Sequence, residues 1–125
     1  MVKVIDREWA LEFAKDWIAS WNSHDMDRIL SHYADDFEMS SPLIVQRLGQ
    51  TQGILKGKDA VRKYWLPSLS LDPPIQFELM DVLVGVAQLT LYCRSVGRRV
   101  VAETVFVDDA GKVTHGIAQW SVTTT

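Results

Sequence analysis

The chain has 125 residues, of which 47% are hydrophobic and 23% are charged. This mixture predicts a single folded domain with a hydrophobic core and excludes a disordered chain. The 13 basic and 16 acidic residues give a net charge of −3, whereas a nucleic-acid-binding protein gathers a basic surplus on one face. We therefore expect no nucleic-acid partner.

Several other classes of protein are also disfavoured. Cys93 is the single cysteine, so no intramolecular disulfide can form, and no cysteine–histidine spacing indicates zinc. No apolar run approaches the ~20 residues of a membrane-spanning helix. The N-terminus turns acidic at Asp6 and Glu8, too early for a signal peptide. We expect a cytoplasmic protein that needs no metal or cofactor and has no membrane partner.

Aromatic residues recur every four positions near the N-terminus and predict a helix from about Asp6 to Asn22. Trp9, Phe13, Trp17 and Trp21 follow this spacing, which places them on one face of the helix. Acidic residues at the start of the segment suit a helix N-terminus.

Two shorter elements are predicted next. A second helix begins near Asp25 and is stopped by Asp35-Asp36, and a short strand runs from Phe37 to Ser41. The apolar face of this second helix is formed by Met26, Ile29, Leu30 and Tyr33.

The middle of the chain is predicted to contain a loop and a third helix. Pro42 and the stretch from Gln46 to Gly57 are typical of a loop, because the glycines supply turns. The length of the segment from Leu43 to Leu55 would allow it to close over a neighbouring cavity. The third helix spans Lys58 to about Leu66 and is ended by the proline that follows.

From Ile75 onward, apolar and polar residues alternate, which predicts strands. Hairpin turns are predicted at Ser95-Val96-Gly97 and at Asp108 to Gly111, and the last strand covers Lys112 to Val122. Three helices followed by a strand meander predict an α+β fold, with the helices laid against one curved sheet.

Four segments carry the motifs of a known group of proteins: Trp17–Asp25, Tyr33–Phe37, Gly57–Val61 and Val107–Val113. Through them, residues 8 to 122 resemble the nuclear transport factor 2-like superfamily and, within it, the SnoaL-like group related to ketosteroid isomerase. The resemblance implies a cystatin-like cone, in which a bent mixed or antiparallel sheet wraps a long N-terminal helix and leaves an apolar pocket. It also implies a homodimer through the outer face of the sheet.

The resemblance also carries catalytic positions. The ketosteroid isomerase tyrosine that donates to the substrate oxygen corresponds to Trp17. The aspartate that abstracts the proton corresponds to Ser41, and the protonated aspartate of the oxyanion hole corresponds to Glu103. Because a serine offers no proton-abstracting form at neutral pH, the sequence argues against isomerisation by that mechanism while leaving the pocket in place.

Glu103 is the first catalytic candidate. It interrupts the apolar alternation between Val101 and Val105, and a carboxyl in an apolar cavity has a raised pKa and can donate or accept a proton. The alternatives are a different strand register or an ion pair with an arginine such as Arg99.

His115 is the second catalytic candidate. Side chains alternate along the last strand, and Ala118 and Trp120 are expected to face inward. His115 then faces outward, toward the expected dimer surface. A slip of one residue would bring it inward, where a histidine could serve as a general base.

Aromatic and apolar residues are predicted to line the ligand pocket, although burial in an ordinary core is the better explanation for any single aromatic residue among them. The arginines at the predicted hairpin tip, Arg94, Arg98 and Arg99, could hold an anion or could simply be solvated. The ligand-binding candidates are Trp17, Trp21, Tyr33, Phe37, Met39, Ser41, Tyr64, Trp65, Leu89, Leu91, Val105 and Trp120.

Two functions remain open at this point. The first is a pocket for a small, mostly apolar molecule that carries a carbonyl or hydroxyl group, with cofactor-free isomerase, cyclase or dehydratase chemistry at Glu103. The second is a non-catalytic binding or assembly module, which the serine at position 41 favours. Catalysis requires at least two polar groups converging in the cavity, for instance Glu103 with Tyr33.

Overall fold

The computed structural model describes residues 5–95 and 99–122, which form four α-helices, one 3₁₀ helix and six β-strands. The helices are α1 (Arg7–Ser23), α2 (Met26–Leu30), α3 (Pro42–Leu48) and α4 (Lys58–Trp65), and the 3₁₀ helix is Leu66–Ser70. The strands are β1 (Tyr33–Ser40), β2 (Ile54–Lys56), β3 (Glu78–Val84), β4 (Gln88–Arg94), β5 (Val100–Val107) and β6 (Val113–Trp120). No helix in these ranges combines the length and apolar character that a membrane crossing needs.

The six strands form one mixed sheet in the order β2-β1-β6-β5-β4-β3. β1 and β6 pair in parallel and the other neighbours pair antiparallel. The register shifts in β1, in β3 and between β5 and β6, and such irregularities bend strands. The predicted α+β fold, with a curved mixed sheet against a long N-terminal helix, is confirmed.

The first two helices begin where the sequence predicts. Asp6 caps α1, because its Oδ2 accepts a hydrogen bond from the Trp9 N–H at 3.1 Å. Asp25 caps α2 in the same way, and accepts from the Asp27 and Arg28 N–H groups. The predicted aromatic face of α1 is buried against the sheet at Phe13, Trp17 and Trp21, while Trp9 is only half-buried.

The predicted loop between Pro42 and Gly57 is wrong in two places, because α3 and the edge strand β2 lie there. Ser41 starts α3 by accepting a hydrogen bond from the Leu43 N–H at 3.2 Å, and Pro42 already has the φ of a first helical residue. Gly49 ends α3 with a φ of 69°, a conformation that glycine adopts without strain.

The second predicted helix is also too long. α2 ends at Leu30, and Tyr33 and Asp35-Asp36 belong to β1 rather than to a helix and its terminal turn. Tyr33 satisfied the helical spacing only because it is buried in the same core. Asp35 forms an ion pair with Lys58, in which Oδ1 lies 3.4 Å from Nζ.

The strand predicted from Ile75 begins later, at Glu78. Phe77 instead pairs with a side chain of α1: its N–H donates to Asn22 Oδ1 at 2.8 Å, and its carbonyl accepts from Asn22 Nδ2 at 3.0 Å. The Asn22 amide thus makes the two hydrogen bonds to the Phe77 backbone that a neighbouring strand would otherwise make.

The last hairpins agree with the sequence where they are described. Asp108 Oδ1 accepts from the Ala110 and Lys112 N–H groups, each at 2.9 Å, and Gly111 has a φ of 77°. The predicted turn at Val96 and Gly97 lies outside the described residues. The inward faces of β4 and β5 are confirmed, since Leu89, Leu91, Cys93, Val101 and Val105 are all buried.

Candidate functional site

A cavity of about 240 Å³ lies between helices α1, α3 and α4 and the inner face of the sheet. Ligand pockets commonly measure ~300–1,000 Å³, so this cavity suits a small molecule. Its charged side chains, among the described residues, are Arg47, Arg99 and Glu103. Aromatic rings form much of its wall: Trp17, Trp21, Tyr33, Tyr64, Trp65, Phe77 and Trp120.

Most of the residues predicted for the pocket meet in this cavity. Glu103 lines it together with Trp17, Trp21, Tyr33, Met39, Ser41, Tyr64, Trp65 and Trp120. Phe37, Leu89, Leu91 and Val105 do not line it and are buried in the core instead. Alternation along a strand identifies the inward face, but the packing of helices over that face decides which inward side chains border a cavity.

Helix α3 and the chain after α4 also contribute to the cavity, which the sequence did not indicate. Leu43 and Arg47, one helical turn apart on α3, both line the cavity. The signal that could have found them is the sequence Ser41-Pro42 followed by Gly49, which is typical of a short capped helix. The other additions are Ser68, Leu71, Pro73, Ile75, Phe77 and Ser95. Arg99, predicted as a possible anion ligand, and Ala118, predicted to face inward, also line the cavity.

Glu103 lies on β5 between two buried valines, Val101 and Val105. Its side chain is half-buried and lines the cavity. Burial raises the pKa of Glu103 to about 8, because a low-dielectric environment disfavours the charged form. The alternative of a pair with Arg99 is not observed, since Glu103 forms no ion pair or side-chain hydrogen bond within the described ranges.

Tyr33 places a hydroxyl in the same cavity. Its oxygen accepts a hydrogen bond from Trp17 Nε1 at 2.9 Å, which leaves its O–H proton free for another acceptor. Burial raises the pKa of Tyr33 above its ordinary value, the Trp17 hydrogen bond opposes this, and the charge of Glu103 adds to it. Glu103 and Tyr33 are therefore near neighbours, and Tyr33 keeps its proton at neutral pH.

Ser41 and Tyr64 add two further hydroxyl groups. Ser41 Oγ caps α3, so one of its two lone pairs is already used by the backbone. Burial raises the pKa of Tyr64 from its ordinary value, and the nearby Arg47 guanidinium opposes this. Both side chains are polar, but neither is a proton acceptor at neutral pH.

The indole N–H groups of Trp21 and Trp120, two residues of the cavity wall, are buried and make no hydrogen bond of normal geometry with the described residues. The Trp21 N–H is still near enough to the Tyr33 hydroxyl to lower the pKa of that tyrosine. A buried donor without an acceptor costs ~1–3 kcal/mol. The Trp120 N–H therefore favours a polar atom in or beside the cavity.

His115 lies on the opposite face of the sheet from Glu103. Its side chain is 59% exposed, with Nε2 3.9 Å from Glu38 Oε2. His115 therefore faces outward, as the alternation along the strand predicts, and the one-residue slip that would bring it to Glu103 is absent. Among the residues described, no group of histidine, cysteine and acidic side chains could hold a metal ion.

Comparison with known proteins identifies a matching family and similar solved structures. The family model for the SnoaL-like domain matches residues 14–124. A solved SnoaL-like protein of unknown function from Burkholderia thailandensis E264 is 39% identical, with 95% of this chain and 99% of that chain covered and a TM-score of 0.91. No curated protein matches the chain significantly.

Two more distant structures share the architecture. A candidate ketosteroid isomerase from Kribbella flavida has 15% identity, 93% and 80% coverage of the two chains, and a TM-score of 0.73. The epoxide hydrolase/cyclase-like enzyme SalBIII, of pyran ring formation in salinomycin, has 15% identity, 95% coverage of both chains and a TM-score of 0.70. At these identities the likeness shows the fold alone.

Proposed function

Because the chain belongs to the SnoaL-like domain family, we propose that its cavity binds a small, mostly apolar molecule that carries a carbonyl or hydroxyl oxygen. We propose further that Glu103 exchanges a proton with that oxygen without a cofactor. The observation that carries the proposal is the position of Glu103, a half-buried acid on the cavity wall, with a raised pKa and without a partner among the described residues.

The protonated form of Glu103 is the reactive one at neutral pH. With a pKa of about 8, most of the carboxyl groups carry a proton at pH 7, and a neutral carboxylic acid in an apolar site can donate a hydrogen bond or a proton. The Tyr33 O–H is a second donor on the same wall. Two donors that converge on one substrate oxygen stabilise negative charge that develops there.

The residues around Glu103 favour acid-assisted chemistry over base-initiated isomerisation. Ser41 caps a helix and no second acidic side chain lines the cavity within the described residues, so Glu103 has no partner base. A dehydration or cyclisation can begin with proton donation by Glu103, and the ionised carboxylate can then recover a proton. Of the reactions open to this family, these two suit the cavity best.

A non-catalytic binding module is the second candidate. The observation that favours it is Ser41, which lies where ketosteroid isomerase has its base and is used here as a helix cap. Such a module would bind the same class of molecule without converting it. Turnover therefore separates the two candidates.

The test is a melting-temperature screen against small cyclic ketones, enones and hydroxylated aromatics. Wild type is compared with Glu103→Gln and with Glu12→Gln, a matched change on the exposed face of α1. A ligand at a hundred times its dissociation constant adds ~2.7 kcal/mol of stability. We expect at least one compound to raise the melting temperature of wild type, by an amount that Glu103→Gln alters and Glu12→Gln does not.

Product formation from the stabilising compounds then decides the mechanism. Turnover by wild type that is lost in Glu103→Gln supports proton transfer. Binding without turnover supports the binding module. Stabilisation by none of the compounds contradicts the ligand proposal as a whole.

We also propose that two copies pair through the outer face of the sheet. Leu83, Tyr92 and Ile117 are 55%, 37% and 37% exposed, and the strand register places them on that face beside Thr90 and Thr104. Large apolar side chains gathered on one exposed face are typical of an interface between proteins.

A further inference from the structure

Two arginines at the rim of the cavity are not used by the proton-transfer proposal. Arg47 and Arg99 are exposed, and both contribute to the cavity lining. We infer that the ligand carries a carboxylate, and that Arg47 and Arg99 bind it at the rim. This inference rests on the proposed function, because it names the class of molecule that the same cavity binds.

Each guanidinium lies over an aromatic ring of the cavity wall. The Arg47 guanidinium is 5.6 Å from the centre of the Tyr64 ring, and the Arg99 guanidinium is 5.0 Å from the centre of the Trp120 ring. These are cation–π distances. Contact with a ring limits the freedom of a long side chain, so less freedom is lost when the guanidinium binds a ligand.

Neither arginine is neutralised within the described residues. Arg28 and Arg62 form ion pairs with Asp16 and Asp27, whereas Arg47 and Arg99 have no acidic partner in the same ranges. The hydrogen bond of Arg47 to Ser68 Oγ is long, at 3.5 Å. Most of the N–H donors of the two guanidinium groups are therefore available at the rim.

The charge of the cavity supports an anionic ligand. Burial keeps Glu103 mostly protonated at pH 7, which leaves Arg47 and Arg99 as the ionised side chains among the described lining residues. The lining is thus positive although the whole chain carries a net charge of −3. A local excess of one sign attracts ligands of the other sign.

A carboxylate on a mostly apolar ligand matches these groups. The planar guanidinium donates two parallel hydrogen bonds to the two oxygens of a carboxylate. The ligand would then hold its apolar ring between the indoles and phenols. Its carbonyl or hydroxyl oxygen would meet Glu103 and Tyr33 inside, and its carboxylate would reach the exposed arginines outside.

The test compares matched pairs of compounds by calorimetric titration. The pairs are hydroxynaphthoate with hydroxynaphthamide, and oxocyclohexane carboxylate with its carboxamide, so that each pair differs only in the charged group. We expect wild type to bind the carboxylates at least about tenfold more tightly than the amides at low salt, and to lose most of this preference at high salt.

Three variants locate the effect. Arg47→Gln and Arg99→Gln should each bring the affinity for the carboxylates toward that of the amides. Arg7→Gln, which removes a positive charge from the exposed start of α1, should leave the preference unchanged. Circular dichroism and melting temperature confirm that the variants fold, as expected for exposed positions.

The outcomes separate this inference from the proposal on which it rests. Equal affinity for carboxylates and amides, or a preference that both rim variants retain, overturns the carboxylate inference and leaves the ligand pocket supported. Absence of binding by every compound overturns both. A preference for carboxylates that both rim variants reduce and Arg7→Gln does not supports the inference.

Discussion

Glu103 shares its strand with Val101 and Val105, and burial among apolar neighbours raises the pKa of its carboxyl to about 8 from an ordinary value of 4.5. The unfolded chain exposes the carboxyl and restores the ordinary pKa. Between these two pKa values, the folded protein binds a proton that the unfolded chain releases. The contribution of Glu103 to the free energy of unfolding therefore falls as the pH rises, by up to ~1.4 kcal/mol per pH unit.

We expect replacement of this carboxyl by an amide to increase stability by an amount that depends on pH. Relative to wild type, Glu103→Gln should show a free energy of unfolding that increases from about pH 5 to about pH 8 and then levels off. Urea unfolding at several pH values measures the difference. The other titratable groups that the Glu103 charge affects, Tyr33, Tyr64 and Cys93, have pKa values raised by burial and keep their protons in this range.

The matched control for that experiment is Glu12→Gln, because Glu12 is exposed on α1. Its stability should follow wild type at every pH. A constant difference between wild type and Glu103→Gln would show that the pKa of Glu103 is not raised, and would remove the physical basis of the proton-transfer proposal.

Helix α3 supplies one of the two arginines at the rim of the cavity. It contributes Leu43 and Arg47 to the lining, and its start depends on Ser41. The helix has seven residues, of which Ile44 alone is buried. An apolar period cannot be recognised from one buried side chain, so only the capping residues at its two ends indicate this helix in the sequence.

Loss of the cap on α3 should reduce both stability and ligand affinity. Ser41→Ala removes the acceptor of the Leu43 N–H and should lower the free energy of unfolding by ~1 kcal/mol, measured by urea unfolding. Affinity for carboxylate compounds should also fall, because Arg47 is carried by the same helix.

Threonine at this position provides the control. Ser41→Thr retains a capping hydroxyl, so it should keep most of the stability and affinity. If Ser41→Ala and wild type were equal in both measurements, the cap would not be what positions α3.

The outer face of the sheet is the feature that concerns the whole molecule. The inner face packs on the helices and contains the cavity, whereas Leu83, Tyr92 and Ile117 remain exposed on the outer face. His115 lies on this outer face too, beside the proposed interface and away from Glu103. The two faces therefore suit two roles, ligand binding inside and self-association outside.

The proposed dimer predicts a specific sensitivity to charge on that face. Ile117→Lys should raise the dimer dissociation constant at least about tenfold, since it places a charge in an apolar contact. Sedimentation velocity over a range of protein concentrations measures the change. Leu11→Lys, at an apolar position of α1 that is 40% exposed, should sediment as wild type does, and a wild type that is monomeric at every concentration contradicts the proposal.

The sequence by itself determined the fold class, the capped helices α1 and α2, and the inward faces of β4 and β5. These features follow from patterns between near neighbours, a period of 3.6 residues in helices and of two in strands. The same alternation placed Glu103 inward and His115 outward. The family motifs then supplied the overall architecture.

Only the tertiary structure decided which inward side chains border the cavity. The alternation that turns Glu103 inward also applies to Phe37, Leu89, Leu91 and Val105. These four side chains are buried in the core, whereas Glu103 borders the cavity. The two rim arginines come from distant parts of the chain, and so do Trp17 and Tyr33, which are joined by a hydrogen bond. A cavity is the space that separate elements leave between them, so no pattern within a single segment specifies it.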